Sequence, residues 1–242
     1  MNKSLFQLDH GIIVACDFDS IEELLKVVSE TSDITGITGF KLGCTLALRY
    51  GLPELTKIIA DYTDSPIIYD HQKAGTDIPQ MGQEFAQACK DGGVHGVILF
   101  PQAGPTTEVE FINNIFDNGI IPLVGGEMTH PNYLEHEGGF ITDSAPYKMY
   151  KIAAEYQVEY FILPGTKPAV ISEYSTFLSK MVNQPKFCFP GIGRQGGDIE
   201  AAVKAVGSNP AYAIIGSAIH SNRNGDIRDN AKRFCDIILN FE

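Results

Sequence analysis

Eight short apolar runs punctuate this chain, and segments with helical periodicity separate them. The runs are Gly11 to Cys16, Ile37 to Leu42, Pro66 to Asp70, His95 to Phe100, Ile120 to Val124, Val158 to Leu163, Lys186 to Phe189 and Ala211 to Ile215. They are continuous rather than alternating, as expected of parallel strands covered on both faces. Between the first two runs, Ser20 with Glu23 three residues on reads as an S-x-x-E capping box that opens a helix. Leu46 to Tyr62 reads as helix broken near Pro53. Pro79 to Asp91, Thr106 to Asp117 and Ala145 to Tyr156 read as helices, and three more end near Met181, Val206 and Leu239. The pattern predicts eight β/α pairs, hence a (β/α)8 TIM barrel with an eight-stranded parallel sheet, one domain over residues 1–242. A doubly wound open sheet is the alternative. The count of eight, and polar motifs after nearly every run, favour closure. The Gly-rich polar stretch from Pro131 to Phe140 is a candidate lid.

Composition narrows the class. With 242 residues, 44% hydrophobic and 20% charged, the chain reads as an ordinary soluble globular protein. No apolar stretch is long enough for a membrane span and the N-terminus shows no secretory signal, so a cytoplasmic location is expected. Five scattered cysteines without C-x-x-C spacing argue against a disulfide frame or a zinc site. Cys16, Cys44 and Cys188 lie in or beside apolar runs and are expected as small core residues. The net charge of −12 argues against a broad nucleic-acid-binding face. A small anionic substrate remains compatible, provided that a local pocket supplies positive groups and N–H donors.

The candidate chemistry sits just after the runs: Asp17, Lys41, Asp70, Lys73, Asp77, Thr129, Gln195 and Ser217. In a barrel these ends converge on one face. Asp70 and Lys73 stand three residues apart, so both point inward only if the backbone bulges or turns at His71–Gln72. Lys73 and Asp77 are i, i+4 and suit one helical turn. Asp77 equally suits a cap on the helix that follows, with Pro79 in its first turn. Gly191 to Asp198 is Gly-rich and leads into a helix, a pattern that offers N–H groups to an anion. Gly196, Gly197 and Gly216 lie in the loops after runs seven and eight, where barrels commonly hold phosphate, and Arg194 and Gln195 add side-chain donors. Glu127, His130, His136 and Glu137 lie near one another but lack the H-E-x-x-H spacing, so no metal site is expected. Ser217 lacks the G-x-S-x-G elbow of a nucleophilic serine.

Taken in order, Asp17, Lys41, D-H-Q-K-A-G-T-D-I-P, E-M-T-H-P and P-G-I-G-R-Q-G-G-D resemble the orotidine 5′-phosphate decarboxylase family, in its short archaeal form. The likeness runs from about Gly11 to Leu239. It implies a (β/α)8 barrel, a homodimer with shared active sites, orotidine 5′-phosphate as substrate and no cofactor. It implies a catalytic array of Lys41, Asp70, Lys73 and Asp77, with Asp77 reaching the partner's site and Lys73 protonating C6 of the pyrimidine. Asp17 then contacts ribose, Thr129 the pyrimidine, and Gln195 with its neighbouring glycines the phosphate. Two departures stand out. The spacing here is D-x-x-K-x-x-x-D where the family has D-x-K-x-x-D. Gly216–Ser217–Ala218 replaces the family's G-R-S, which leaves Arg194 or Arg223 as the substitute cation. Two rivals stay open: a magnesium-dependent sugar-phosphate aldolase or decarboxylase of the same superfamily, and a barrel that binds a nucleotide or sugar phosphate without turnover. Lys41 favours the metal-free enzyme, because the magnesium-dependent relatives carry a metal-binding Glu there.

Overall fold

The apolar runs form parallel strands that pair in chain order and close on themselves. In this computed structural model, which describes residues 4–71, 76–193, 195–221 and 226–240, they are β1 (His10–Cys16), β2 (Ile37–Gly43), β3 (Ile67–Asp70), β4 (Gly96–Leu99), β5 (Ile121–Gly125), β6 (Tyr160–Ile162), β7 (Lys186–Phe189) and β8 (Ala211–Ile215). Register from His10 opposite Ala211 to Val14 opposite Ile215 closes the ring between β1 and β8. The open-sheet alternative is thereby excluded.

The helices among the described residues are α1 (Ile21–Thr31), α2 (Cys44–Tyr50), α3 (Leu52–Ala60), α4 (Met81–Asp91), α5 (Pro105–Asp117), α6 (Ala145–Glu155), α7 (Pro168–Leu178), α8 (Ile199–Val206), α9 (Ser217–His220) and α10 (Ile227–Leu239). The break expected near Pro53 falls at Gly51, whose φ of 78° ends α2 and begins α3. Ser20 Oγ accepts from the Glu23 N–H at 3.3 Å, as a capping residue should, while Glu23 reaches back to the Asp19 N–H. Asp77 does not cap α4, whose N-cap is Gln80; its Oδ1 accepts from the N–H of Ile78 at 2.7 Å. The short α9 lies where sequence gave only a loop. Among the described residues no helix is long and apolar enough to cross a membrane.

Strand side chains alternate between two environments, and this parity positions the site. One set packs inside the barrel: Ile13 and Ala15, Ile68, Ile98, Leu123, Tyr160 and Ile162, Cys188, Tyr212 and Ile214. The other set, including Val14, Phe40, Leu42, Tyr69, Val97, Val124 and Phe161, packs against the helices. Burying each such large apolar side chain contributes roughly 1.5–3 kcal/mol. Leu5 and Phe6 plug the N-terminal end of the barrel, with Phe6 packed 4.3 Å from Tyr212 and the Leu5 N–H bonded to the Tyr160 hydroxyl at 2.9 Å. The cysteines are unpaired; Cys16 and Cys188 are core residues, but Cys44 is exposed at the start of α2, because the chain leaves the barrel wall there.

Candidate active site

Inward parity carries through to the C-terminal mouth. Ile13 and Ala15 lead to Asp17, Gly39 leads to Lys41, and Ile68 leads to Asp70. Three charged side chains from three adjacent strands therefore meet above the apolar barrel interior. Lys41 Nζ lies 3.0 Å and 3.2 Å from the two Asp17 oxygens and 2.9 Å from Asp70 Oδ2. Lys41 and Asp70 are buried, whereas the Asp17 side chain is 57% exposed. Burial opposes the charge on Lys41, yet Asp70 and Asp17 more than offset it and hold the ammonium protonated beyond the usual lysine range. Gly43 is needed where β2 ends: a Cβ there would stand 2.2 Å from Asp17 Oδ1.

A cavity of about 470 Å³ opens above this array. Asp17, Lys41, Asp70, Thr129, Gln195, Gly216 and Ser217 all line it, so it gathers sequence-predicted residues from both sides of the barrel. Its floor is apolar, made by Ile98, Phe100, Ile162 and Ile214. A charged rim over an apolar floor suits a flat, partly hydrophobic ring bearing a charged substituent. Asp77 is exposed and lies outside the lining of this cavity and of the adjoining one. Lys73, Arg194 and Arg223 lie outside the described residues, as does the expected turn from Gln72 onward. His71, the residue after Asp70, bonds to the Tyr69 hydroxyl and packs edge-on to Phe85.

The loop after β7 folds largely onto itself. The Gly197 N–H bonds to the Gly191 carbonyl at 3.1 Å, and the Gly196 N–H to that of Gly193 at 2.9 Å. These two donors thus hold the turn, and Pro190, Gly191, Ile192 and Gln195 of this loop line the cavity. Asp198 ends the loop by capping α8, its Oδ1 accepting from the Ala201 N–H at 2.8 Å. Gly191 is where three loops meet: a Cβ there would lie 3.1 Å from Thr129 Cγ2, 3.1 Å from Thr166 Cγ2 and 3.2 Å from Gln195 Oε1.

Sequence reasoning missed two features of this cavity. His220, on α9, lines its β8 side and lies edge-on to Phe18 at 4.6 Å; burial lowers its pKa and its Nε2 makes no hydrogen bond of good geometry among the described residues. Glu127 lines the opposite wall, buried, with Lys167 Nζ on one oxygen at 2.8 Å and the Tyr174 hydroxyl on the other at 2.5 Å. The parity that gives Asp17, Lys41 and Asp70 also gives Glu127, two residues beyond Gly125 and four beyond inward Leu123. Among the described residues no group of three or more His, Cys, Asp or Glu is arranged to hold a metal.

Comparison with known proteins places the chain among relatives of this architecture. The model of the orotidine 5′-phosphate decarboxylase / HUMPS family matches residues 11–234. The orotidine 5′-phosphate decarboxylase of Pyrococcus abyssi is 31% identical over 94% of this chain and 98% of its own length. That of Pyrococcus furiosus is 32% identical over 87% of this chain and 90% of its own. Among solved structures, the orotidine 5′-phosphate decarboxylase of Pyrococcus horikoshii OT3 superposes with a TM-score of 0.77 at 27% identity, covering 94% of this chain and 99% of that one. The fold is also that of the Methanocaldococcus jannaschii enzyme complexed with the inhibitor BMP, at a TM-score of 0.78 and 22% identity over 95% of this chain and 98% of that one.

Proposed function

Since the chain belongs to the orotidine 5′-phosphate decarboxylase / HUMPS family, we propose that it decarboxylates orotidine 5′-phosphate to uridine 5′-phosphate and CO2 in pyrimidine biosynthesis, without a cofactor. The observation that carries this reading is the buried Lys41 ammonium, held between Asp17 and Asp70 at the cavity mouth. A lysine so placed neutralises the two carboxylates itself, whereas a divalent cation would need them for its own coordination.

Loss of CO2 from C6 leaves a carbanion that the pyrimidine ring cannot delocalise. The site must therefore stabilise charge electrostatically, with groups already oriented in a cavity shielded from water. In this reading Lys73 stands beside C6, stabilises the carbanion and protonates it. Asp70 faces the departing carboxylate and Lys41 holds Asp70 and Asp17 in position. Thr129 meets the pyrimidine and Asp17 the ribose. Gln195, Arg194, Gly216 and Ser217 form the phosphate end, distant from the reacting carbon, where binding energy supports the chemical step; Gly196 and Gly197, whose N–H groups are bonded within their own turn, shape that loop rather than donate to the phosphate. Asp77 serves the partner's site in a homodimer. Its exposure supports that role, as do the neighbouring Ile78 and Met81, 59% and 40% exposed, which put apolar surface beside it. The unpaired cysteines suit a cytoplasmic enzyme.

The test is a decarboxylation assay that follows loss of orotate absorbance, with and without EDTA. Wild-type activity should survive chelation, and Lys73→Ala should abolish CO2 release while uridine 5′-phosphate still binds. Near-normal turnover by Lys73→Ala ends the proposal; loss on chelation shifts it to a magnesium-dependent relative. Mixing Lys73→Ala with Asp77→Asn should restore part of the activity through hybrid dimers, and no recovery removes the shared site.

A further inference from the structure

The segment after β5 is tied down by a charge bridge that the reaction above does not use. Glu127, two residues past the end of β5, and Glu137, on the short 3₁₀ turn Glu135–Glu137, both bind Lys167 Nζ, at 2.8 Å and 2.6 Å. Each carboxylate is satisfied a second time. Glu127 takes the Tyr174 hydroxyl from α7, and Glu137 Oε2 accepts the N–H groups of Tyr133 and Leu134 at 3.2 Å and 3.4 Å. Tyr133 in turn donates its hydroxyl to the Gly126 carbonyl at 3.1 Å and receives Gln102 Nε2 at 2.8 Å. Residues 127–137 thus form a strap whose two ends are drawn to one ammonium group, and the segment runs on to Ile141, whose carbonyl accepts the Glu135 N–H at 2.7 Å. Thr129 lies within this strap, two residues from Glu127, and lines the cavity.

We propose that Lys167 is a positioning residue: by bridging Glu127 to Glu137 it holds the strap in the one arrangement that presents Thr129 to the ring of the bound nucleotide. The proposal rests on the reading of Thr129 as the pyrimidine contact. Lys167 itself stays behind Glu127, outside the cavity lining, so it acts through the strap rather than on the ligand. The pKa directions agree with a bridge kept charged at neutral pH. Burial opposes the Lys167 charge, but the two glutamates overcome it and raise its pKa, while Lys167 lowers that of Glu137.

Lys167→Met, Lys167→Arg, Glu137→Gln and Thr129→Ala test this. Lys167→Met should raise KM for orotidine 5′-phosphate about tenfold and leave kcat within about threefold, because a misplaced Thr129 weakens ground-state and transition-state binding alike. A role in folding alone would reduce the active fraction, hence apparent kcat, and leave KM unchanged. Lys167→Arg should restore most of the loss, and Lys167→Met added to Thr129→Ala should cost little more than Thr129→Ala alone. Amide exchange across 131–141 should quicken about tenfold in Lys167→Met and severalfold in Glu137→Gln, with β1 to β3 unchanged. Glu137→Gln leaves no buried charge unpaired, so it answers the question even where Lys167→Met fails to fold. Unchanged strap exchange and KM in Glu137→Gln overturn the proposal, as do fully multiplicative losses in the double variant. A wild-type chain that releases no CO2 defeats the functional reading alone; strap exchange and affinity for uridine 5′-phosphate then decide the bridge by the same criteria.

Discussion

Two sites in this barrel use the same parts: a lysine between two carboxylates, one buried and one nearer the surface. On the β1–β3 side, Lys41 sits between buried Asp70 and exposed Asp17. On the β5–β6 side, Lys167 sits between buried Glu127 and Glu137, whose side chain is 21% exposed. The difference lies in what surrounds the acids. Glu127 and Glu137 spend their oxygens on a tyrosine hydroxyl and two backbone N–H groups, so that cluster is closed by the protein itself. Asp17 and Asp70 face the cavity, with Asp17 open to solvent at its rim. The Lys167 triad is a fastener within the protein; the Lys41 triad presents its two carboxylates to the cavity where a ligand binds. Charge composition alone does not separate the two, whereas the surroundings of the more exposed carboxylate do: Glu137 is held by two backbone N–H groups and Asp17 opens to solvent.

The comparison breaks most visibly at Lys41. Lys41→Met removes the ammonium that stands between buried Asp70 and Asp17. Removing one partner of a buried pair costs about 3–5 kcal/mol, and removing a preorganised charge from a site costs roughly 10²–10³ in kcat. Both losses should appear, one by denaturant unfolding and one by turnover. Adding Asp70→Asn should restore stability and leave activity lost. If the double variant regains turnover, the open triad is a fastener too. Since Lys41 stays charged beyond the usual lysine range, its deprotonation should not form the alkaline limb of the rate profile.

The sequence made the open triad legible because its members follow directly from strand parity. Once β1, β2 and β3 are located, Asp17, Lys41 and Asp70 must point into the barrel mouth, and their meeting needs no further information. Glu127 obeys the same rule, but in the sequence it stands beside His130, His136 and Glu137, a grouping that raises only the question of a metal ligand. Its true partner lies 40 residues away at the N-cap of α7. Lys167, in the turn P-G-T-K-P, carries no periodicity to mark it. Long-range pairing between loop residues is set by how the β/α loops fold over the mouth, and apolar patterning says nothing about that. The self-bonded amides of Gly196 and Gly197 are not legible in the sequence for a related reason: a glycine-rich stretch shows where donors exist but not which acceptor takes them.

Gly191 joins the two sides and gives a smaller effect. Its φ of 88° lies where non-glycine residues rarely go, and an added Cβ would press on Thr129, Thr166 and Gln195 at once. Gly191→Ala should cost about 1–2 kcal/mol for the backbone conformation alone. The displaced groups belong to the fastened strap and to the phosphate loop, so KM for orotidine 5′-phosphate should rise severalfold while uridine, which lacks the phosphate, binds with a smaller change. Equal weakening of both ligands would mean that the contact shapes only the strap.

The weakest link in the fastened region is its outer pair, and pH isolates it. His136 and Asp143 are both largely exposed, with Nδ1 and Oδ1 2.7 Å apart. The Asp143 hydrogen bond raises the His136 pKa above its ordinary 6.5, and His136 lowers that of Asp143 below 3.8. The raised histidine contributes stability below its unfolded pKa and loses it as pH climbs through the folded value. The depressed aspartate contributes above its unfolded pKa and loses it as pH falls through its folded one. The pair therefore holds the strap only across mildly acidic to near-neutral pH. Lys167, raised above its ordinary 10.5, keeps the inner bridge charged at alkaline pH where the histidine has lost its proton. Amide exchange across 131–141, corrected for its intrinsic pH dependence, should thus quicken modestly as pH climbs past the ordinary histidine value of 6.5 and through the raised folded one. His136→Gln should remove this step and leave the larger effect of Lys167→Met intact; a step that survives in His136→Gln would assign the pH dependence to the inner bridge and make the fastener titratable.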